Sequence, residues 1–261
     1  MSDLTERRLP LPRDVEARVW EKGEGEPLGF LGGLRGLPRW IPFLDRLAES
    51  RRVVAPSLPG FPGGSGHAQL DDLPDWVATT LDLLEGAGLE GADLVGASVG
   101  GMLAAEVAAF SRATVRRLVL IAPLGLFDAS EPVADLFALR RSEVAARLSS
   151  RPDAYAALLA APDGADPVEW SITMTRAEEA AARLLWPLGD RGLAKRLHRV
   201  LAPTLLVTGT EDRVLPASYA KRFVDGLGGL VSHRPIEGAG HMVEIDAPEA
   251  AADACLAFLG K

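Results

Sequence analysis

Ser98 stands in Gly96-Ala97-Ser98-Val99-Gly100-Gly101, after the strand-patterned Asp93-Leu94-Val95 and before a helix-patterned stretch from Met102 to Phe110. Gly-x-Ser-x-Gly between a strand and a helix is the setting a nucleophilic serine needs. The turn is strained, its hydroxyl stands free above the sheet, and small residues two before and two after it let backbone pass close by. A serine hydroxyl is a weak nucleophile alone, so a base must reach it. The chain has four histidines, His67, His198, His233 and His241. His241 lies in Gly238-Ala239-Gly240-His241-Met242, a glycine-flanked loop beyond the last predicted strand, and the carboxyl ends of strands are where an α/β sheet gathers its site residues. His198 in a helical segment and His233 within a strand read as structural. His67, after a glycine-rich loop, reads at most as a contact near the site. An acid that orients the base is expected between serine and histidine in chain order. Asp212, just past the run Leu206-Val207-Thr208, fits that place; Glu211 beside it and Asp128 past the preceding strand compete with it.

These residues need a frame, and the hydropathy pattern predicts one. Strands are expected at 17–20, 28–31, 52–55, 93–97, 117–122, 204–208 and 231–235, and helices at 39–49, 73–86, 100–110, 218–226 and 248–258. Runs such as Leu118-Val119-Leu120-Ile121 are apolar without alternation, as in a strand covered on both faces. Strand–helix alternation predicts an α/β fold with a mostly parallel central sheet flanked by helices. The rhythm breaks between Pro123 and Pro203. Residues 128–191 are rich in Ala, Leu and Arg, are punctuated by Pro132, Pro152, Pro162, Pro167 and Pro187, and read as a helical insertion. The expected organisation is therefore a core of 1–127 and 192–261 with the insertion 128–191.

Composition narrows the function classes. The chain has 261 residues, 48% hydrophobic and 25% charged, which suits one large globular unit. With 28 Lys and Arg against 36 Asp and Glu the net charge is −8, so a nucleic-acid partner is not expected. Cys255 is the single cysteine, which leaves no internal disulfide and no thiolate metal cluster. Neither an apolar leader nor a run of membrane-spanning length is visible, so a cytoplasmic location without membrane contact is expected. No metal and no cofactor is expected; oligomeric state is left open.

The chain resembles the α/β-hydrolase superfamily, in particular its compact lidded serine hydrolases. The likeness runs from about Val15 onward. It rests on four stretches in order: Pro59-Gly60-Phe61-Pro62-Gly63-Gly64-Ser65, Gly96-Ala97-Ser98-Val99-Gly100-Gly101, Gly209-Thr210-Glu211-Asp212-Arg213-Val214-Leu215-Pro216 and Gly238-Ala239-Gly240-His241. The resemblance implies Ser98 as nucleophile, His241 as base and then acid, Asp212 as orienter, and 128–191 as a lid. It also implies an oxyanion hole made by the backbone N–H groups of Leu34 and Val99. One departure stands out: Gly32 occupies the place of the usual histidine in Phe30-Leu31-Gly32-Gly33-Leu34-Arg35-Gly36.

A serine at the elbow, instead of a carboxylate, argues against the dehalogenase and epoxide-hydrolase relatives of this fold. The expected activity is hydrolysis of a small, apolar ester-like substrate through an acyl-enzyme. The runner-up is carbon–carbon hydrolysis of vinylogous diketones, opposed by Met242 where those enzymes usually carry Trp. A non-catalytic ligand-binding protein is the rival from another class. Phe127, Phe137, Trp170, Met174, Trp186 and Met242 are candidate pocket walls. Arg35 is read as mainly solvated, with contact to a substrate carboxylate as its functional alternative.

Overall fold

The computed structural model describes residues 3–260; Met1, Ser2 and Lys261, assigned to the expected core, lie outside the described residues. The strands are β1 (Thr5–Leu11), β2 (Val15–Lys22), β3 (Pro27–Leu31), β4 (Arg52–Pro56), β5 (Ala92–Ala97), β6 (Val115–Ile121), β7 (Thr204–Gly209) and β8 (Val231–Ile236). They form one eight-stranded sheet in the order β1-β2-β4-β3-β5-β6-β7-β8. β1/β2 and β2/β4 are antiparallel, and β4, β3, β5, β6, β7 and β8 run parallel. The sheet is covered on both faces. Leu94, Leu118, Leu120 and Leu206 point into one core layer, while Val95, Val119, Ile121, Leu205 and Val207 point into the other. Alternate residues thus serve two cores, which explains why these strands read as unbroken apolar runs.

The helices are α1 (Pro42–Ala48), α2 (Leu73–Gly86), α3 (Ser98–Phe110), α4 (Arg141–Leu148), α5 (Pro152–Leu159), α6 (Pro167–Leu185), α7 (Ser218–Gly226), α8 (Val243–Asp246) and α9 (Pro248–Leu259). Their starts follow from local chemistry. Asp72 caps α2 by accepting from Asp75 N at 3.1 Å. Asp166 caps α6 by accepting from Val168 N at 2.7 Å and Glu169 N at 3.1 Å. Prolines open α5, α6 and α9, where a missing N–H costs nothing. α2 and α3 belong to one core layer, α1 and α9 to the other.

β1 is absent from the sequence-based expectation. It reads Thr-Glu-Arg-Arg-Leu-Pro-Leu, is mostly exposed on both faces, and lies at the sheet edge. Its charges pair with the neighbouring strand, as in Arg7 to Glu21 at 3.1 Å, so no apolar period marks it.

Among the described residues no strand lies between β6 and β7, where the chain supplies α4, α5 and α6. This segment rests on loops that leave the carboxyl ends of the strands. Arg39 donates to Leu158 O at 3.2 Å, Arg183 to Ala68 O at 3.1 Å, Arg213 to Ala146 O at 3.2 Å, and Met242 N to Leu148 O at 2.9 Å. No helix among the described residues is long and apolar enough to cross a membrane.

Candidate active site

β3 and β5 are neighbours, yet the strand between them in sequence, β4, lies on the far side of β3. The chain order therefore reverses there, and such a switch point opens a crevice at the carboxyl ends. Ser98 follows β5 directly and has φ of +50°, a conformation few non-glycine residues hold. The turn is possible because nothing projects from its flanks. A Cβ on Gly96 would lie 2.5 Å from Gly100 O, and one on Gly100 would lie 2.3 Å from Leu31 O. Both glycines are thus dictated by backbone packing around the serine.

Ser98 Oγ lies 2.8 Å from His241 Nε2, and His241 Nδ1 lies 2.9 Å from Asp212 Oδ2. Both Ser98 and His241 are buried. The other oxygen of Asp212 accepts from Val214 N at 2.7 Å and Leu215 N at 3.0 Å. Burial alone would raise the Asp212 pKa, but His241 and the two backbone N–H groups outweigh it, and the carboxyl is held below its usual value. The result is an acceptor that stays ionised beside the imidazole.

The competing acids are committed elsewhere. Asp128 accepts from Ser130 and pairs with Arg222, which with the Ser130 bonds holds its carboxyl near 2. Glu211 is half-exposed and faces Arg213. His233 bonds Thr208 on an edge strand, and His198 sits in a short 3-10 turn. His67 is buried, with Nε2 3.5 Å from Glu179 of α6.

The loop after β3 approaches the serine from the other side. Gly33 is so placed that a Cβ on it would lie 3.5 Å from Ser98 Cβ and 3.2 Å from Met242 Cε. Gly32, in the position of the usual histidine, accepts from Gly100 N at 3.2 Å, and Gly36 N closes on Gly33 O at 2.9 Å. A Cβ on Gly32 would come within 3.0 Å of Gly36 C. The loop carrying Leu34 is therefore tied to the elbow by backbone, without an imidazole. Leu34 and Val99 are both buried.

Arg35 departs from the solvated reading. Its side chain is 14% exposed, and Nη1 lies 2.5 Å from Glu178 Oε1 of α6. The reason is the helical segment packed over this loop, which no local pattern reveals. Arg35 and Phe137 line a cavity of about 120 Å³ that also touches Leu34. Arg35, Trp170 and Met174 line a second one of about 420 Å³. Trp186 ends α6 with 56% of its surface exposed, so it is not brought to the serine. Phe127 is partly buried.

Three residues beyond the sequence reading bear on the site. Asp246 accepts from Gly240 N at 2.7 Å and Ser150 N at 2.9 Å, and also from the Ser149 hydroxyl. It fixes the histidine loop and the root of α5 together. Glu244 is fully buried near His241, and desolvation pushes its carboxyl up to about 7. Tyr155 of α5 is buried beside Arg35 and Glu244. The prelude to Pro248, Val-Glu-Ile-Asp-Ala, carries two acids in a helix-patterned stretch, but periodicity gives no sign that they point inward.

A sequence profile described as "Alpha/beta hydrolase family" matches residues 30–254. The chain is 31% identical over 268 residues to the dihydrolipoyllysine-residue acetyltransferase component of an acetoin cleaving system from Pseudomonas putida. That match covers 97% of this chain and 70% of the relative. It is 26% identical over 278 residues to a 2-hydroxy-6-oxo-2,4-heptadienoate hydrolase of Pseudomonas putida, covering 92% and 91%. Among solved structures, a bacterial membrane phospholipase A superposes with a TM-score of 0.76 at 27% identity, covering 98% of this chain and 86% of that one.

Proposed function

Because this chain belongs to the alpha/beta hydrolase family, we propose that it is a serine hydrolase acting on a small, apolar ester-like substrate. The observation that carries this reading is the chain of contacts Ser98–His241–Asp212, at 2.8 and 2.9 Å, on an elbow held at positive φ. His241 Nε2 takes the Ser98 proton as Oγ attacks the acyl carbon. Asp212 holds Nδ1–H and offsets the imidazolium charge. The N–H groups of Leu34 and Val99 receive the developing oxyanion, where each donor is worth ~10²–10³ in rate. His241 then protonates the leaving alcohol and activates the water that frees the acid. Residues 128–191 act as a lid over the carboxyl edge, excluding water from the acyl-enzyme.

A panel of p-nitrophenyl esters graded in acyl length, beside labelling by a fluorophosphonate, tests this reading. Turnover is expected with label on Ser98 alone. A label elsewhere, or turnover retained by Ser98→Ala, would overturn the assignment. Full-length similarity to a 2-hydroxy-6-oxo-2,4-heptadienoate hydrolase favours carbon–carbon hydrolysis as the second reading. Faster cleavage of a dienoate diketone than of any ester in the panel would move the conclusion to it. Labelling without turnover of either class would favour a ligand-binding protein.

A further inference from the structure

A cavity apart from those at Arg35 lies beside Asp212. It has a volume of about 280 Å³ and sits between α7 and the carboxyl ends of β7 and β8. Asp212 is in its wall, but neither Ser98 nor His241 lines it. Its inner wall is core: Leu206 is fully buried and Phe223 is 1% exposed, so the depression reaches the packed layer beneath α7. Its mouth carries Thr208, Thr210 and His233. Leu206 and Thr208 of β7 and His233 of β8 share one face of the sheet, because Leu206 pairs in register with His233. Apolar walls around this space suit a ring-sized body, since a cavity of ~150 Å³ already holds benzene.

The chemistry of the wall selects the occupant. No lysine or arginine lines the cavity and Asp212 is held ionised, so an anion meets repulsion without a counter-charge. A cation finds the carboxylate committed, because Asp212 accepts from His241 Nδ1, Val214 N and Leu215 N at 2.9, 2.7 and 3.0 Å. At the mouth Thr208 Oγ1 lies 2.9 Å from His233 Nε2. Partial desolvation holds the His233 imidazole below its usual value, so the ring is neutral at pH 7. The threonine hydroxyl then donates to Nε2 or accepts from Nε2–H, according to the tautomer. In the first arrangement it can still accept; in the second it can still donate. A ligand hydroxyl matches both, whereas a carbonyl or ether oxygen matches only the second.

We propose that this cavity is a binding site for a small neutral alcohol with a ring-sized apolar body, which rests on Leu206 and Phe223 while its hydroxyl bonds Thr208. The proposal goes beyond the ester-hydrolase reading and does not depend on which bond Ser98 attacks. Leu215 belongs both to this wall and to the N–H pair that holds Asp212. An occupant therefore touches the support of the acid without entering the crevice at Ser98.

Amide NMR of isotope-labelled protein, titrated with benzyl alcohol, toluene and benzoate, reads this site apart from the catalytic crevice. Benzyl alcohol is expected to shift the amides of Thr208, Thr210 and Ala220 with one shared Kd. Benzoate should bind there about tenfold more weakly, through like charge at Asp212. Thr208→Val should weaken benzyl alcohol about fivefold, the worth of one net hydrogen bond, and toluene by less than about twofold. Ala220→Leu fills the cavity from α7 and should remove the shifts for all three ligands. Melting temperature checks that each variant folds; Ala217→Leu, at the mouth, replaces Ala220→Leu if the latter does not. Four results would each overturn the proposal: shifts confined to Gly33, Leu34 and Val99, benzoate binding as tightly as the alcohol, an equal response of alcohol and toluene to Thr208→Val, or binding that survives the filled cavity.

Discussion

The two ends of β5 treat buried polar groups in opposite ways. At its amino end Asp93 is fully buried, yet three arginines surround it. Arg117 bonds it at 3.0 and 2.6 Å, Arg116 at 2.9 and 3.0 Å, and Arg51 at 3.3 Å. Burial would raise the Asp93 pKa, but these guanidiniums outweigh it and hold the carboxyl low. At the carboxyl end, five residues later, Ser98 sits at positive φ, and Glu244 Oε2 is buried without a hydrogen-bond partner. One end is electrostatically complete and ties strands together. The other is left incomplete, and an incomplete, strained end is where a ligand has something to satisfy.

The largest effect expected from breaking this contrast is at Ser98. Ser98→Ala should cut ester turnover by about 10⁵–10⁶-fold while its melting temperature stays with wild type, because only a hydroxyl is lost. Next comes Asp212→Asn, with kcat lowered ~10²–10⁴-fold. Asp128→Asn, at a carboxylate engaged by Ser130 and Arg222, should leave kcat within about twofold; a reversal of these two results would move the acid to the earlier strand.

At the amino end the expected response is the converse. Asp93→Ala removes the buried partner shared by three arginines and should lower unfolding free energy by ~3–5 kcal/mol. Urea titration measures that loss, and kcat per folded molecule should not change. A large kcat effect with unchanged stability would erase the distinction between the two ends.

Glu244 gives a smaller effect that depends on pH. Its carboxyl is raised from 4.5 to about 7 by burial. The folded state therefore keeps a proton that the unfolded chain has released, and stability falls as pH rises from 4.5 to 7. Glu244→Gln should stabilise the protein by up to ~3 kcal/mol at pH 8, with the gain vanishing below pH 4.5. Melting curves across that range check the sign. The smallest effect is at Trp186, which belongs to neither end. Trp186→Ala should cost less than about 1 kcal/mol and leave the acyl-length profile unaltered, as its 56% exposure requires. A loss of ~3–5 kcal/mol would place it in a core instead.

Much of the frame was legible because apolar period and punctuation agree. Helices 73–86 and 218–226 match α2 and α7 residue for residue, and Pro152 and Pro167 do open helices. Ser98, Asp212 and His241 could each be picked out because each follows a strand and sits among turn residues. β1 was hidden because an edge strand needs no apolar face. Arg35 was misread because its partner Glu178 is far along the chain on a helix whose docking no local pattern encodes. Tyr155, Glu244 and Asp246 were silent for the same reason: their roles are set by packing between segments, and a sequence window reports only the segment itself.

Asp246 carries one more consequence. Its carboxylate accepts at once from Gly240, next to His241, and from Ser149 and Ser150 at the root of α5, while Met242 N donates to Leu148 O. The helices between β6 and β7 are therefore not a module resting on an independently held histidine loop. Replacing or excising the helices between β6 and β7 removes these ties to the histidine loop. Any chimera that keeps His241 in register must carry the Leu148-Ser149-Ser150 junction with it.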